Sequence, residues 1–145
     1  MRKIEHIGIA VASIEASNIV YTKLLGVPPY KTEEVGSEGV RTSFFRVGES
    51  KIELLEATNT ESPIHRFIEK RGEGIHHIAF DVEDIEAEIR RLRKEGFTVL
   101  NETPKQGADN KKVAFLHPKD ANGVLIELCQ DISGPGSAGK TAKEG

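Results

Sequence analysis

The sequence has a single cysteine, no long apolar run and little excess charge of either sign. Cys129 is alone among 145 residues, which excludes an intramolecular disulfide and fits a reducing cytoplasm. No apolar segment is long enough to span a bilayer, and no early segment resembles a signal peptide. The formal net charge of −3 predicts neither a nucleic-acid surface nor a polybasic membrane patch. We therefore expect a cytoplasmic protein without nucleic-acid or membrane partners.

The chain length is that of one compact domain with room for a shaped pocket. By size scaling, a chain of this length buries about two-thirds of its unfolded surface. We expect a single domain over residues 1–132. The segment from 133 to 145 is rich in small and charged residues without apolar periodicity, and it predicts a disordered tail.

The sequence contains an internal repeat. The strand-like segment from Glu5 to Val11 returns as His76 to Val82, displaced by 71 positions (77 − 6). Two further segments repeat at displacements of 71 (114 − 43) and 74 (126 − 52), namely Ser43–Phe45 with Ala114–Leu116 and Ile52–Leu54 with Ile126–Leu128. Only two copies fit in the chain, so the pattern indicates a duplicated module with pseudo-twofold symmetry rather than a solenoid.

Each copy has the pattern of a β-α-β-β-β module. Alternating apolar residues predict the strands, and Ser13 and Asp84 are suited to cap helices that end at Gly26 and Gly96. The modules span about 2–57 and 73–131, joined by a linker helix over about 62–71. We expect an α+β fold in which two tandem modules form a curled, cup-shaped mixed sheet with helices on its outer face.

Three local expectations follow from the same periodicities. The first helix should pack on the sheet through an apolar stripe of Ile14, Ile19, Val20, Leu24 and Leu25. A strand is predicted over Phe97 to Leu100, followed by a polar loop from Asn101 to Asn110. Strict alternation along the second copy of the repeated strand predicts that His76 points the opposite way to His77, and we expect it to pack in the fold or to support the ligands from outside.

Two histidines and two glutamates occupy equivalent strand positions in the two modules. His6 corresponds to His77, and Glu53 corresponds to Glu127. A lone strand histidine or glutamate is usually structural, but a twofold axis brings both pairs toward one centre. Two imidazoles and two carboxylates suit a divalent ion such as Zn²⁺, Co²⁺, Mn²⁺, Ni²⁺ or Fe²⁺, and the donor types do not select among these metals.

The motifs HIGIAV, SEGV, KIELLE, GIHHIAFDV and FLHPKDANGVLIEL closely resemble those of the methylmalonyl-CoA epimerases, which belong to the vicinal oxygen chelate (glyoxalase/bleomycin resistance/dioxygenase) superfamily. The resemblance covers residues 2–130. It implies an enzyme that interconverts (2R)- and (2S)-methylmalonyl-CoA by metal-assisted 1,1-proton transfer through an enolate. It also implies a CoA thioester as substrate, a divalent metal cofactor and a homodimer.

The resemblance also implies roles for individual residues. Metal ligands fall on His6, His77 and Glu127, with a fourth at Glu53, although some relatives carry glutamine at that fourth position. Inversion at carbon needs a base on one face and an acid on the other, and the resemblance assigns this pair to Glu38 and Glu127.

Two other functions remain open at this point. A lyase of the glyoxalase I type would act on a glutathione hemithioacetal by similar proton transfer. A metal-free binding protein of the antibiotic-sequestering kind would use the cup without catalysis, but it has no need of the His/Glu set. Ring-cleaving dioxygenases share the fold, but they use two histidines and one glutamate with Fe²⁺ and are usually longer.

Overall fold

The structure is a computed structural model that describes residues 1–132. Its strands are β1 (Lys3–Ala10), β2 (Lys31–Val35), β3 (Val40–Val47), β4 (Ser50–Ala57), β5 (Gly74–Asp81), β6 (Lys105–Gly107), β7 (Lys111–Leu116) and β8 (Leu125–Asp131). Its α-helices are α1 (Ile14–Leu25), α2 (Pro63–Arg71) and α3 (Ile85–Lys94). No helix in this part of the chain is long and apolar enough to cross a membrane. The predicted disordered tail lies outside the described residues.

All eight strands form one mixed sheet in the order β2-β3-β4-β1-β5-β8-β7-β6. The two modules meet where β1 pairs with β5 in antiparallel orientation. On either side of this junction the next pair is parallel, β1 with β4 and β5 with β8, and the outer pairs are antiparallel. The symmetric order confirms the predicted α+β fold of two tandem modules that form a curled sheet.

In the central pair of strands, β1 and β5, each repeated histidine lies opposite a small residue of the other module. Gly8 pairs with His77, and His6 pairs with Ala79. Positions 8 and 79 are themselves repeat equivalents, since they differ by 71 (79 − 8). A Cβ added at Gly8 would lie 2.2 Å from Cε1 of His77, so this position must lack a side chain for the imidazole to fit.

The parallel pairs place the two repeated glutamates beside the same small residues. Gly8 pairs with Glu53 across β1 and β4, and Ala79 pairs with Glu127 across β5 and β8. Adjacent paired residues project to the same face of a sheet. All four residues predicted as metal ligands are therefore carried by the four central strands and project into the cup.

Helix α1 covers the sheet with a different face from the one predicted. Ile14 is buried, and Tyr21 and Leu25 pack against the same core cluster. Asn18, on the same side, accepts a hydrogen bond from the hydroxyl of Ser43. The other predicted apolar positions are 57% to 70% exposed, namely Ile19, Val20 and Leu24. The predicted stripe was wrong at these three positions, because residues 14, 18, 21 and 25 share one helical face and the other three do not.

The strand predicted over Phe97 to Leu100 is absent from its predicted place. In this segment, only Val99 forms an isolated β-bridge, to Leu116. Phe97 and Val99 instead pack against the core under α3. The strand of the second module, β6, lies within the segment that was predicted as loop, where Lys105 to Gly107 pair with the start of β7. The segment after α3 thus packs on the core and makes two backbone hydrogen bonds to the end of β7, Leu100 N–H to Phe115 and His117 N–H to Thr98, without forming a regular strand.

Ion pairs connect the two edge regions of the sheet across the cup. Lys31 of β2 lies 2.6 Å from a carboxylate oxygen of Asp109, next to β6. The backbone N–H of Asp109 donates to Glu33 at 2.9 Å. Lys105 of β6 donates to Glu38 at 2.9 Å. These contacts join the first module to the second at their outer strands and keep the sheet curled around its inner face.

Candidate active site

The inner face of the curled sheet surrounds a cavity of about 370 Å³. Its polar lining includes all five residues that the sequence singled out, His6, Glu38, Glu53, His77 and Glu127. Much of the remaining wall is apolar, with Val40, Leu55, Ile64, Val113, Phe115 and Leu125. A small number of polar groups within an apolar wall is typical of a site that binds and orients an organic substrate.

Three of these side chains converge on one point. The Nε2 atoms of His6 and His77 lie 3.0 Å apart. An oxygen of Glu127 lies 3.0 Å from Nε2 of His77 and 3.5 Å from Nε2 of His6. All three residues are buried. They form a compact set of two imidazoles and one carboxylate with one donor atom each toward a common centre.

The spacing of these atoms fits a divalent metal ion. Ligand bonds of about 2.0–2.2 Å in tetrahedral or octahedral geometry hold neighbouring donor atoms roughly 3.0–3.5 Å apart. The three observed separations, 3.0, 3.0 and 3.5 Å, lie in this range. His6, His77 and Glu127 could therefore hold a divalent ion without rearrangement of the backbone. The donor types, nitrogen and carboxylate oxygen, leave the identity of the metal open.

A β-bulge in β1 places a second acidic residue beside His6. The register between β1 and β5 shifts between Ile4 and His6, so Glu5 has no partner in β5. Glu5 is buried, whereas Ile4 is 42% exposed. Nδ1 of His6 donates a hydrogen bond to Glu5 at 2.6 Å. This contact fixes the ring and leaves Nε2 directed toward His77 and Glu127.

An equivalent bulge in β5 does the same for the second histidine. The register shifts again after Gly8, where Ile9 pairs with Ile75 and His76 is skipped. Nδ1 of His76 lies 3.0 Å from Nδ1 of His77. The prediction that His76 points the opposite way to His77 was wrong, because the bulge breaks the alternation and brings its ring into the cavity lining. When Nε2 of His77 serves as a ligand, its Nδ1–H donates to His76.

The carboxylates make the site favourable for positive charge. Burial alone would lower the pKa of His6, but the charge of Glu53 and contacts with Glu127 and Glu5 raise it to about 10. Burial would likewise raise the pKa of Glu127, but its hydrogen bonds with His6 and His77 hold it well below its usual value. The two shifts have opposite signs because the carboxylates favour the cationic form of His6, whereas the two imidazoles favour the anionic form of Glu127. The carboxylates that favour a cation at His6 also attract a divalent cation.

Glu5 is itself paired with a buried lysine. Nζ of Lys51 lies 2.7 Å from Glu5 and also contacts Asp109. Burial would raise the pKa of Glu5, but the hydrogen bond from His6 and the charge of Lys51 lower it to about 2. Glu5 therefore accepts from His6 as a carboxylate, and Lys51 balances the charge that it adds.

The carboxylate of Glu53 approaches Nδ1 of His6, whereas the ring nitrogen of His6 that faces His77 is Nε2. This carboxylate is 3.2 Å from Nδ1 of His6, whereas Glu127 approaches Nε2. Burial raises the pKa of Glu53 to about 7, with the charge of His6 opposing and that of Glu127 adding to the effect. The role of Glu53 as a fourth ligand stays a prediction, and in this structure its carboxylate is outside the three-residue set.

Glu38 lines the same cavity but is more exposed than the converging residues. It ends a short 3-10 turn, Gly36–Glu38, between β2 and β3. Its side chain is 33% exposed and accepts a hydrogen bond from Lys105. Lys105 thus fixes a carboxylate at the cavity wall, where it could exchange a proton with a bound molecule.

The comparison with known families agrees with this geometry. Residues 5–115 match the family model of the Glyoxalase/Bleomycin resistance protein/Dioxygenase superfamily. The chain belongs to this superfamily. The resemblance indicated by the sequence motifs is therefore confirmed at the level of the superfamily.

Within the superfamily, the chain is similar to methylmalonyl-CoA epimerases. The ethylmalonyl-CoA/methylmalonyl-CoA epimerase of Cereibacter sphaeroides is 43% identical over 130 residues, which cover 88% of this chain and 97% of that protein. A variant of the Streptomyces coelicolor methylmalonyl-CoA epimerase in complex with 2-nitronate-propionyl-CoA has a TM-score of 0.87 and 36% identity, covering 90% of this chain and 98% of that chain. A methylmalonyl-CoA epimerase in complex with methylmalonyl-CoA and NH4+ has the same TM-score and identity, with 90% and 95% coverage. These relatives are enzymes.

Sequence reasoning missed three residues that support the site in this member of the superfamily, Glu5, Lys51 and Asp109. A signal existed for Glu5, because the repeat maps it onto His76 (76 − 5 = 71) and both residues directly precede a candidate ligand. Asp109 had no such signal, since its contacts with Lys51 and Lys31 join segments 58 and 78 positions away (109 − 51 and 109 − 31).

We expect Gly8→Ala to remove metal binding while the protein still folds. The new Cβ would overlap the imidazole of His77 and displace its Nε2 from the site. Metal content after saturation with Co²⁺ and dialysis measures the effect. Gly36→Ala is the control, because a Cβ there meets no heavy atom within 4 Å. Stoichiometric metal in Gly8→Ala would contradict the assignment of His77.

We expect Glu5→Gln to weaken metal binding without abolishing it. Loss of an outer hydrogen-bond partner of a metal-bound histidine typically costs about 10- to 100-fold in affinity. Competition with a chromophoric chelator measures the affinity, and thermal unfolding of the metal-free variant shows that the fold persists. Glu49→Gln, at a side chain that is 91% exposed, is the matched control and should bind like wild type. An unchanged affinity in Glu5→Gln would remove Glu5 from the support of the site.

Proposed function

We propose that this protein is an epimerase that interconverts (2R)- and (2S)-methylmalonyl-CoA by metal-assisted 1,1-proton transfer through an enolate. The observation that carries the proposal is the buried convergence of His6, His77 and Glu127 inside a largely apolar cavity. Support also comes from relatives of that name at 36% to 43% identity over most of the chain.

The three converging residues are the proposed metal ligands, with Glu53 as a fourth. A divalent ion at this point supplies a positive charge that stabilises the negative charge developing on the substrate oxygens during proton removal. The protein contributes the geometry. Glu5 and His76 hold the two imidazoles from their outer nitrogens, so that both Nε2 atoms are directed inward before substrate binds.

Inversion at carbon 2 requires two proton-carrying groups on opposite faces of the substrate. We assign these roles to Glu127 and Glu38, which line the same cavity from β8 and from the turn after β2. One carboxylate removes the proton from carbon 2, and the other, protonated, delivers a proton to the opposite face. Lys105 orients Glu38 for this exchange.

The apolar wall supports the same chemistry. Leu55, Val113 and Phe115 enclose the site and limit the access of water. Exclusion of water strengthens the electrostatic stabilisation of the developing charge. The homodimer and the cytoplasmic location that the sequence indicated stay predictions.

The proposal is tested by following solvent deuterium into the substrate. Metal-loaded protein in D₂O should incorporate one deuterium at carbon 2 of methylmalonyl-CoA and interconvert the two epimers. Mass spectrometry and chiral analysis of the thioester measure both. In parallel, formation of lactoylglutathione from the glutathione hemithioacetal is assayed. Turnover of the hemithioacetal without exchange of methylmalonyl-CoA would replace the epimerase with a glyoxalase I type lyase.

We expect Glu38→Gln to retain metal but to lose epimerisation. The amide keeps the size of the side chain and its oxygen can accept from Lys105, but it acts as neither an acid nor a base near neutral pH. Loss of one general acid or base lowers kcat by about 10²- to 10⁴-fold. Glu34→Gln, on the exposed side of β2, is the control and should turn over normally. Full turnover by Glu38→Gln would exclude Glu38 from proton transfer.

A further inference from the structure

A second cavity of about 350 Å³ adjoins the candidate active site. It lies between α2 and the turn that joins β7 to β8, and we call it the α2 groove. Pro63, His76 and Leu125 line both cavities, so the two are neighbours. The shared residues place the groove beside the main cavity, on the side of His76 and Leu125.

The α2 groove is positively charged. Arg66, Lys70 and Arg71 line it, and no carboxylate does among the residues that the structure describes. Arg71 lies over the ring of Phe67 at 5.7 Å. Arg66 and Lys70 are exposed, and no carboxylate within residues 1–132 pairs with either. Their charges are available to a ligand.

The basic residues of the main cavity, in contrast, lie next to carboxylates. Lys105 pairs with Glu38 at 2.9 Å. Lys111 lies 4.0 Å from Glu5 and 3.9 Å from Asp131. Of the basic side chains that line the two neighbouring cavities in the described chain, those of the groove alone lack carboxylate partners. An anionic part of a substrate is therefore attracted to the groove rather than to the main cavity wall.

Helix electrostatics do not account for all three basic residues. Positive side chains are common in the last turn of a helix because they interact favourably with its dipole, and this explains Lys70 and Arg71. Arg66 is the fourth residue of α2, nearer the positive end of the dipole, where a cation gains nothing from it. Arg66 and Lys70 are four positions apart and so share one helical face.

We propose that the α2 groove binds the phosphate groups of the nucleotide arm of an acyl-CoA substrate, with Arg66 and Lys70 as their ion-pair partners. The flexible pantetheine arm passes between His76 and Leu125 and connects the thioester at the metal centre to the phosphates in the groove. The inference rests on the proposed function, because it takes the CoA thioester from that proposal. With a net charge of −3, the chain needs such a local basic cluster to hold a phosphate-rich ligand.

Equilibrium binding of coenzyme A itself tests the proposal without requiring turnover. Arg66→Gln/Lys70→Gln removes both charges and keeps long side chains that favour helix. Its Kd for coenzyme A should rise about 5- to 30-fold, as expected for two partly exposed phosphate contacts. Pantetheine, which lacks phosphates, should bind both proteins equally in an NMR titration. Arg90→Gln/Lys94→Gln is the control, because Arg90 and Lys94 are an exposed Arg/Lys pair at the same spacing on α3.

Unchanged coenzyme A affinity in Arg66→Gln/Lys70→Gln would overturn the proposed role of the groove, and so would absence of coenzyme A binding by wild type. An equal loss of pantetheine binding would also overturn it, since the effect would not come from phosphates. The deuterium exchange assay judges the epimerase function separately. If wild type exchanges deuterium and the double variant binds coenzyme A normally, the groove does not bind the phosphates, but the epimerase function stands. If the double variant loses affinity for coenzyme A and wild type does not exchange deuterium, the groove binds the phosphates, but the epimerase function is wrong.

Discussion

The antiparallel pairing of β1 with β5 is the constraint on which the site depends. This pair lies on the pseudo-twofold axis, and its register places Gly8 opposite His77 and Ala79 opposite His6. Each histidine can cross toward the other module because the residue facing it is small, and the two Nε2 atoms meet at 3.0 Å. A shift of one residue in this register would place the two imidazoles on opposite faces of the sheet.

The two copies have kept the same backbone but differ in the side chains around their histidines. At equivalent bulges, Glu5 supports His6 and His76 supports His77. At equivalent positions beside the histidines, β4 carries Lys51 and β8 carries Leu125. The first module therefore surrounds its histidine with a buried ion-pair network, whereas the second surrounds it with imidazole and apolar groups. This asymmetry makes one side of the cup charged, whereas the other side adjoins the α2 groove.

Much of the fold could be predicted because the duplication is visible in the sequence. Two copies of one strand pattern fixed the module order, and the repeat displacement brought His6 and His77 to one axis. The bulges could not be predicted, because period-two alternation assigns each strand residue to one face, and Glu5 and His76 violate it. The face of α1 and the position of β6 depend on tertiary packing, which overrides local apolar patterns. The contact of Asp109 with Lys51 joins two modules and leaves no local signal.

The central claim is that His6, His77 and Glu127 bind a single divalent ion. Anomalous diffraction from crystals of the Co²⁺-loaded protein, recorded on both sides of the cobalt absorption edge, measures this directly. The account predicts one anomalous peak per chain, about 2.0–2.2 Å from Nε2 of both histidines and from a carboxylate oxygen of Glu127. A cobalt ion bound elsewhere, or no peak between the two imidazoles at saturating metal, would contradict it.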